Sequence, residues 1–545
     1  MFKEGLKKLI MTTVACAAVS ASAALPQPQH IVEGIKSYEL ENGLKIVLFA
    51  DQSKPTATVN TTYLVGSRQE NYGETGMAHL LEHLMFKGSK NYPDPTREFT
   101  KRGFRMNGTT WLDRTNYFVS FTANDDNMRW ALGWSADAMV NSNIAKKDLD
   151  TEMTVVRNEY EMGENKPVSV MVKRMQGILF DWHAYGRNTI GARSDIENVP
   201  IENLQAFYHK WYQPDNAVLT VSGKFDETKV LTWITETFGK IPRPTRVLPA
   251  EWTVEPVADG PRYFEIRRPG ESQLVAVGYR IPSAIAADNN AVETAVDVLS
   301  SAPRGRLYKA LVETGMAGQV FGWAMSAKCP SFVMFGAMVK KGDDIERVKN
   351  VLIDTVENAF KKTPADETEV GLSLAEAATD FERTLSDPEE FAVELSDYIS
   401  LGDWRLYFYD RDATAKVTPE DVNKAAATYF VRDNRAVGVF IPDDKPQRAP
   451  YMETPKLADV LKNATFKEEG AVSEAFDVSQ ANIDARTEVL EINGVKTALL
   501  PKKTRGETVT VLTHFNYGTL ETVKGKRALD TLIEPMLTRG AEGMD

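Results

Sequence analysis

"TGMAHLLEHLMFKG", residues 75–88, places two of the chain's six histidines four residues apart, with a glutamate directly before the second. On a helix, at about 100° per residue, Glu82 and His83 fall about 60° and 40° to either side of His79. Phe86 joins that arc, whereas Met77, Leu80, Leu81, Leu84 and Met85 fill the opposite one. The segment is therefore expected to pack through its leucines and to present His79, Glu82 and His83 together. Gly88 suits a C-terminal stop. Two imidazoles one turn apart can hold a single Zn²⁺ at about 2.0–2.1 Å, leaving positions for a third ligand and a water. The ion lowers the pKa of that water to about 7, and a carboxylate beside the second histidine can take its proton. A hydrogen-bonded core pair is the competing reading. Three polar groups on one face, in a chain with so few histidines, favour the metal.

A third ligand is harder to place. The helical stretch "DTEMTVVRNEYEMG" (150–163) offers Glu152 and Glu159, seven apart and so on one face, with Glu161 well round the helix. Spacing alone leaves ligation and solvated surface carboxylates equally open.

The chain around these segments is long enough, at 545 residues, for several cores. It is 43% hydrophobic and 26% charged, with a formal charge of −12 and no clustered basic run, which excludes a nucleic-acid partner. Residues 1–24 run from Lys3, Lys7 and Lys8 through a small-residue apolar stretch to "ASA", the order of a cleaved export signal. A soluble periplasmic product is expected, the alternative being a lipid anchor on Cys16. Later stretches are too short to span a bilayer as helices. With Cys329 as the other cysteine, the mature chain cannot form an internal disulfide.

Alternating strands at 37–51, 56–67, 115–123 and 216–226, with helical periods between, indicate an α+β layer domain, its first hairpin turning at Asn42-Gly43. The expected organisation is a catalytic domain at 25–245, a proline-bearing linker at 246–261, a second, non-catalytic domain at 262–444 and a linker at 445–485. A third, incomplete domain follows at 486–545. "PIENLQAFYHKWYQPDNAVLTVSG" (200–223) and "TPEDVNKAAATYFVRDNRAVGVFIP" (418–442) close the first two domains with the same helix–aromatic pair–strand order. "TEVLEINGVKTALLPKK" (487–503) restarts the first hairpin, and Gly66, Gly73 and Gly88 recur as Gly518, Gly525 and Gly540. On that register Glu82 falls on Glu534, but His79 falls on Thr531 and His83 on Pro535. The helix is repeated without its histidines, and a further half of the polypeptide is expected beyond Asp545.

The chain resembles the pitrilysin (insulinase-type, HxxEH) family of zinc metallopeptidases. The resemblance rests on "VGSRQENYGETGMAHLLEHLMFKG" (65–88), "MNGTTWLDRTNYF" (106–118), "HAYGRNTIGARSDIENV" (183–199), "WYQPDNAVLTVSG" (211–223) and the glutamate 76 residues after His83. It implies tandem two-layer α+β domains of similar plan, each an antiparallel-rich sheet packed by helices. It also implies one zinc per chain on His79, His83 and Glu159, with Glu82 as general base and Glu152 orienting a ligand histidine. Asn107 would hold the substrate backbone, although Gly108 stands where an alanine is common. The substrate class implied is peptides or unfolded segments. An Arg/Tyr pair that stabilises the oxyanion is expected in the second half, since Val312 and Gly318 stand near those places in "LYKALVETGMAGQV" (307–320). The alternative is a non-catalytic scaffold or an inactive zinc-binding fragment of a longer enzyme.

Overall fold

The computed structural model describes residues 25–467, 470 and 472–543; the expected leader and Cys16 lie outside the described residues. The chain divides into two compact units after Gln447.

In the first unit seven strands form one sheet: β1 (His30–Val32), β2 (Ile35–Glu39), β3 (Lys45–Ala50), β4 (Thr56–Tyr63), β5 (Arg105–Thr110), β6 (Thr115–Thr122) and β7 (Ala217–Gly223). Their order is β1-β2-β3-β7-β4-β6-β5. A second sheet holds β8 (Arg262–Arg268), β9 (Ser272–Ile281), β10 (Gln319–Met325), β11 (Ser331–Lys340) and β12 (Arg435–Pro442), ordered β10-β11-β9-β12-β8. Read from the other edge, this is the five-strand plan β3-β7-β4-β6-β5 repeated, including its single parallel pair (β3 with β7, β8 with β12). The tandem α+β plan is thus the observed one, and in both sheets the antiparallel pairs outnumber the parallel one.

The helices that matter below are α1 (Met77–Leu84), α2 (Asp125–Asn141), α3 (Lys146–Glu164), α4 (Pro167–Leu179), α5 (Asn289–Ser300), α6 (Glu367–Ser386), α7 (Pro388–Leu401) and α8 (Leu406–Thr414). Two of them cross over. Val170, Met171, Met175 and Leu179 of α4 pack on Leu274, Ala276 and Phe332 of the second sheet. There Gly278 and Gly438 allow the close approach, since a Cβ on either would lie 2.7 Å and 2.4 Å from the sulfurs of Met175 and Met171. Conversely, Phe391, Leu395 and Ile399 of α7 cover Val47 and Val218 of the first sheet. Each sheet therefore closes one face with a helix from the other's stretch of sequence.

The crossing explains β4. Its Ala57 and Val59 face the main core, and its alternate residues Thr58, Asn60 and Thr62 read as a solvent face. All three are buried under α7. Asn60 Nδ2 donates to Ala392 O (2.6 Å) and Ser396 Oγ (2.8 Å), Thr62 Oγ1 donates to Ser396 Oγ (2.8 Å), and Asn116 Nδ2 donates to Asn60 Oδ1 (3.0 Å). The Asn42-Gly43 hairpin forms with a wider loop than a two-residue turn, because buried Asn42 spends its amide on Phe238 O and Ile241 O.

In the second unit β13 (Glu488–Ile492) and β14 (Val495–Leu499) pair around Asn493-Gly494, both at positive φ, the tight turn their sequence indicates. The Arg527–Leu537 helix exposes Leu529, Leu532 and Met536.

Asn60→Ala removes the hub of the seam and leaves buried partners unpaired, so it should cost about 2–4 kcal/mol. Urea unfolding, read as a lower midpoint at unchanged slope, checks this.

Candidate metal centre

Helix α1 is held at its start by a carboxylate from before it. Glu70, 3% exposed, accepts the N–H groups of Gly76 and Ala78, each at 2.8 Å. These are orphan donors of the first turn, where an anion is also favoured by the helix dipole. Burial nonetheless pushes the Glu70 carboxyl up to about 8, against the pull of those two donors. Gly76 adopts φ +93°, and a Cβ there would lie 2.7 Å from Ile190 O. Thr75 Oγ1 donates to Asp195 Oδ2 at 2.7 Å, fixing the same corner. Met77, Ala78, Leu80, Leu81 and Leu84 are buried, as the leucine arc requires. The helix tightens into a 3₁₀ turn over Met85–Lys87 and stops at Gly88, φ +124°.

On its other face the two imidazoles stand with centroids 4.9 Å apart and planes at 90°. Helix α3 crosses in front of them. His79 Nε2 and His83 Nε2 each lie 3.4 Å from the same oxygen, Glu159 Oε2. Among the described residues these three form the set of histidine, cysteine and acidic donors that gathers within 4.8 Å. A charge-assisted hydrogen bond would be about 2.7–2.9 Å long. Two ligand atoms at about 2.05 Å on a tetrahedral ion stand about 3.3–3.4 Å apart. The N, N and O donors fit Zn²⁺ in chemistry, and the two N···O separations match that spacing.

Glu152 sits one face-repeat earlier on α3 and touches the back of the pair. His83 Nδ1 lies 3.2 Å from its Oε2, and Lys87 Nζ 2.5 Å from its Oε1. Burial pushes the Glu152 carboxyl up, yet the hydrogen bonds from Lys87 and His83 outweigh it and hold it below the usual range. The buried Nδ1 of His79 has no partner among the described residues. Glu82 points to β5, where Thr110 Oγ1 donates to its Oε2 at 2.5 Å. Gly108 leaves the space its stem occupies, since a Cβ there would meet Glu82 Cγ at 2.8 Å. Asn107 is exposed on the same edge strand, its Oδ1 accepting from Gly108 N at 3.0 Å.

Glu70, Lys87 and Thr110 escape a reading of the sequence. Lys87 could have been found, four residues after His83 on one helix face. Thr110 and Gly108 share a strand face by their spacing of two, but nothing local says which helix meets that face.

Two family models match end to end: "Insulinase (Peptidase family M16)" over residues 45–193 and "Peptidase M16 inactive domain" over 198–372. The chain belongs to the insulinase, or pitrilysin-type, family. It is 27% identical over 452 residues to the zinc protease PqqE of Helicobacter pylori, covering 80% of this chain and 97% of that one. It is 28% identical over 272 residues to the probable zinc protease PqqL of Escherichia coli K12, covering 48% of this chain but 28% of that one. A protease structure from H. pylori superposes with a TM-score of 0.71 at 25% identity, over 77% of this chain and all of that one. Pitrilysin superposes with a TM-score of 0.62 at 17% identity, over 79% of this chain and 47% of pitrilysin. No helix among the described residues is long and apolar enough to cross a membrane.

Glu70→Ala strands two buried N–H groups and should destabilise the chain by about 2–4 kcal/mol. It should also weaken metal binding without touching a ligand. Urea unfolding and a competitive zinc titration check the two effects.

Proposed function

We propose that this chain is an exported zinc metalloendopeptidase that hydrolyses peptides or unfolded segments, with one Zn²⁺ held by His79, His83 and Glu159. The observation that carries the reading is the pair of 3.4 Å separations from one Glu159 oxygen to two imidazole nitrogens. Bound there, zinc would polarise a scissile carbonyl and acidify a water, bringing its pKa to about 7. Glu82, the general base, would accept the proton of that water and pass it to the leaving amine. Thr110 holds the Glu82 carboxylate in place, and Glu152, itself held by Lys87, orients His83. β5 is an edge strand that carries Asn107 and Thr110 beside Glu82, so an extended peptide can add to its free side, with the Asn107 amide on its backbone. Edge addition requires an unfolded segment, which supports the substrate class.

Export is supported by the order of residues 1–24, and the E. coli relative's structure is described as that of a periplasmic protease. A second reading is that this chain binds zinc but needs a complementary half for turnover. It is supported by the recurrence of the first hairpin and of the α1 stretch without its histidines, at Thr531 and Pro535.

His83→Ala should abolish stoichiometric zinc, whereas Glu82→Gln should keep zinc and lose cleavage of an unstructured peptide. Metal analysis beside a fluorogenic peptide assay, with and without chelator, decides it. Cleavage that survives Glu82→Gln would remove Glu82 as the base. Zinc bound with turnover appearing only when a complementary half is added would favour the second reading.

A further inference from the structure

The β5–β6 turn, residues 111–114, links the edge strand of the first sheet to its neighbour, where a solvated loop is the rule. Here Leu112, Asp113 and Arg114 are buried, and each meets the stretch of sequence that builds the second sheet. Leu112 lies in the apolar cluster that holds Met325 of β10 and Phe332 of β11. Asp113 Oδ2 accepts the Tyr185 hydroxyl at 2.6 Å and the Lys328 N–H of the β10–β11 loop at 3.3 Å. Its Oδ1 accepts Arg68 Nε at 2.5 Å. Burial and the Asp113 charge push the Tyr185 phenol well above its usual range, so it stays a donor.

Arg114 makes the longest reach. Its Nε donates to Asp397 Oδ1 of α7 at 2.6 Å. Its Nη1 donates to Thr109 Oγ1 of β5 at 2.5 Å and to Asn116 Oδ1 of β6 at 2.6 Å, and Thr109 Oγ1 donates to the same Asn116 oxygen at 2.6 Å. One guanidinium thus ties both strands of the hairpin to a helix 283 residues later. At the other end of β5, Arg105 Nη2 lies 2.8 Å from Glu389 Oε2 on the same helix. These contacts matter because β5 has a ladder partner on one side only. Thr109 stands between Gly108, which makes room for the Glu82 stem, and Thr110, which donates to the Glu82 carboxylate. A drift of about 1 Å at such a place can cost about a hundredfold in rate.

We propose that Arg114 is a positioning residue: anchored on Asp397, it holds β5 where Thr110 supports Glu82 and where the strand's free side takes a substrate segment. The consequence for turnover rests on the peptidase reading; the anchoring does not.

Asp397→Ala removes the anchor at a side chain 47% exposed, so the fold should survive it, and Arg114→Gln breaks the same link from the other side. Amide exchange of the full chain, read by mass spectrometry, should speed about tenfold across residues 105–110 in both variants. Exchange across 77–84 and zinc stoichiometry should stay unchanged. The KM for an extended peptide should rise about tenfold, which a smaller fraction of folded enzyme would not produce. Asp397→Asn leaves Arg114 an acceptor and should stay within about twofold of wild type in both readouts. Unchanged exchange across 105–110 in either variant, equal acceleration across 77–84, or an unchanged KM beside normal turnover would overturn the proposal. A wild-type chain that binds zinc and cleaves no peptide counts against the peptidase reading alone, and the exchange result then decides the anchoring.

Discussion

Helix α1 has to bury five apolar side chains while holding two imidazoles together on its other face. The neighbouring elements answer that constraint in turn. Glu70 secures the first turn from a buried position, so the helix cannot slide along its axis. β5 meets the Glu82 side with a glycine and a threonine, one making room and the other donating a hydrogen bond. Helix α3 supplies the opposite wall, with Glu159 before the imidazoles and Glu152 behind His83. The His79, His83 and Glu159 side chains come from two helices and the support of Glu82 from a strand, and rigid elements of this kind hold a site to sub-ångström tolerance.

The exchange of α4 and α7 between the two sheets ties the described residues up to Gln447 into one compact unit. A sheet of this kind has two faces to cover, and a stretch of sequence that supplies helices for only one must borrow the other cover. The borrowed helix α7 also meets elements of both sheets' domains. Its Asp397 receives Arg114 Nε at 2.6 Å, and Arg114 NH1 reaches Asn116 at 2.6 Å on the strand paired with β5. Its Glu394 lines a recess between α5, α6 and α8. One helix thus reaches both the β5–β6 edge of the first sheet and a recess of the second domain.

Local pattern made helix α1 legible. The leucine arc, the two histidines and the intervening glutamate lie within two turns, so helical geometry alone brings them together. Other readings needed a partner far away in the chain. Alternation of polar and apolar residues along β4 would ordinarily leave the Thr58, Asn60 and Thr62 face to solvent. Here Ser396, over three hundred residues later, satisfies the buried amide and hydroxyl instead. Asn42 reads as a turn residue by its neighbour Gly43, but its amide serves the carbonyls of residues 238 and 241.

By itself the sequence determined what short-range geometry can enforce: the faces of α1, the seven-residue register of Glu152 and Glu159 on α3, the repeat of the domain plan and the α+β class. It left open which of those two glutamates meets the imidazoles. Tertiary structure decided that, because α3 crosses α1 at an angle that brings Glu159 to both Nε2 atoms and leaves Glu152 for Nδ1 of His83. It also decided the support of Glu82 by Thr110, the capping by Glu70 and the contact of Arg114 with Asp397. Each depends on the packing angle between elements, which side-chain volume in the core sets and no spacing along the chain records.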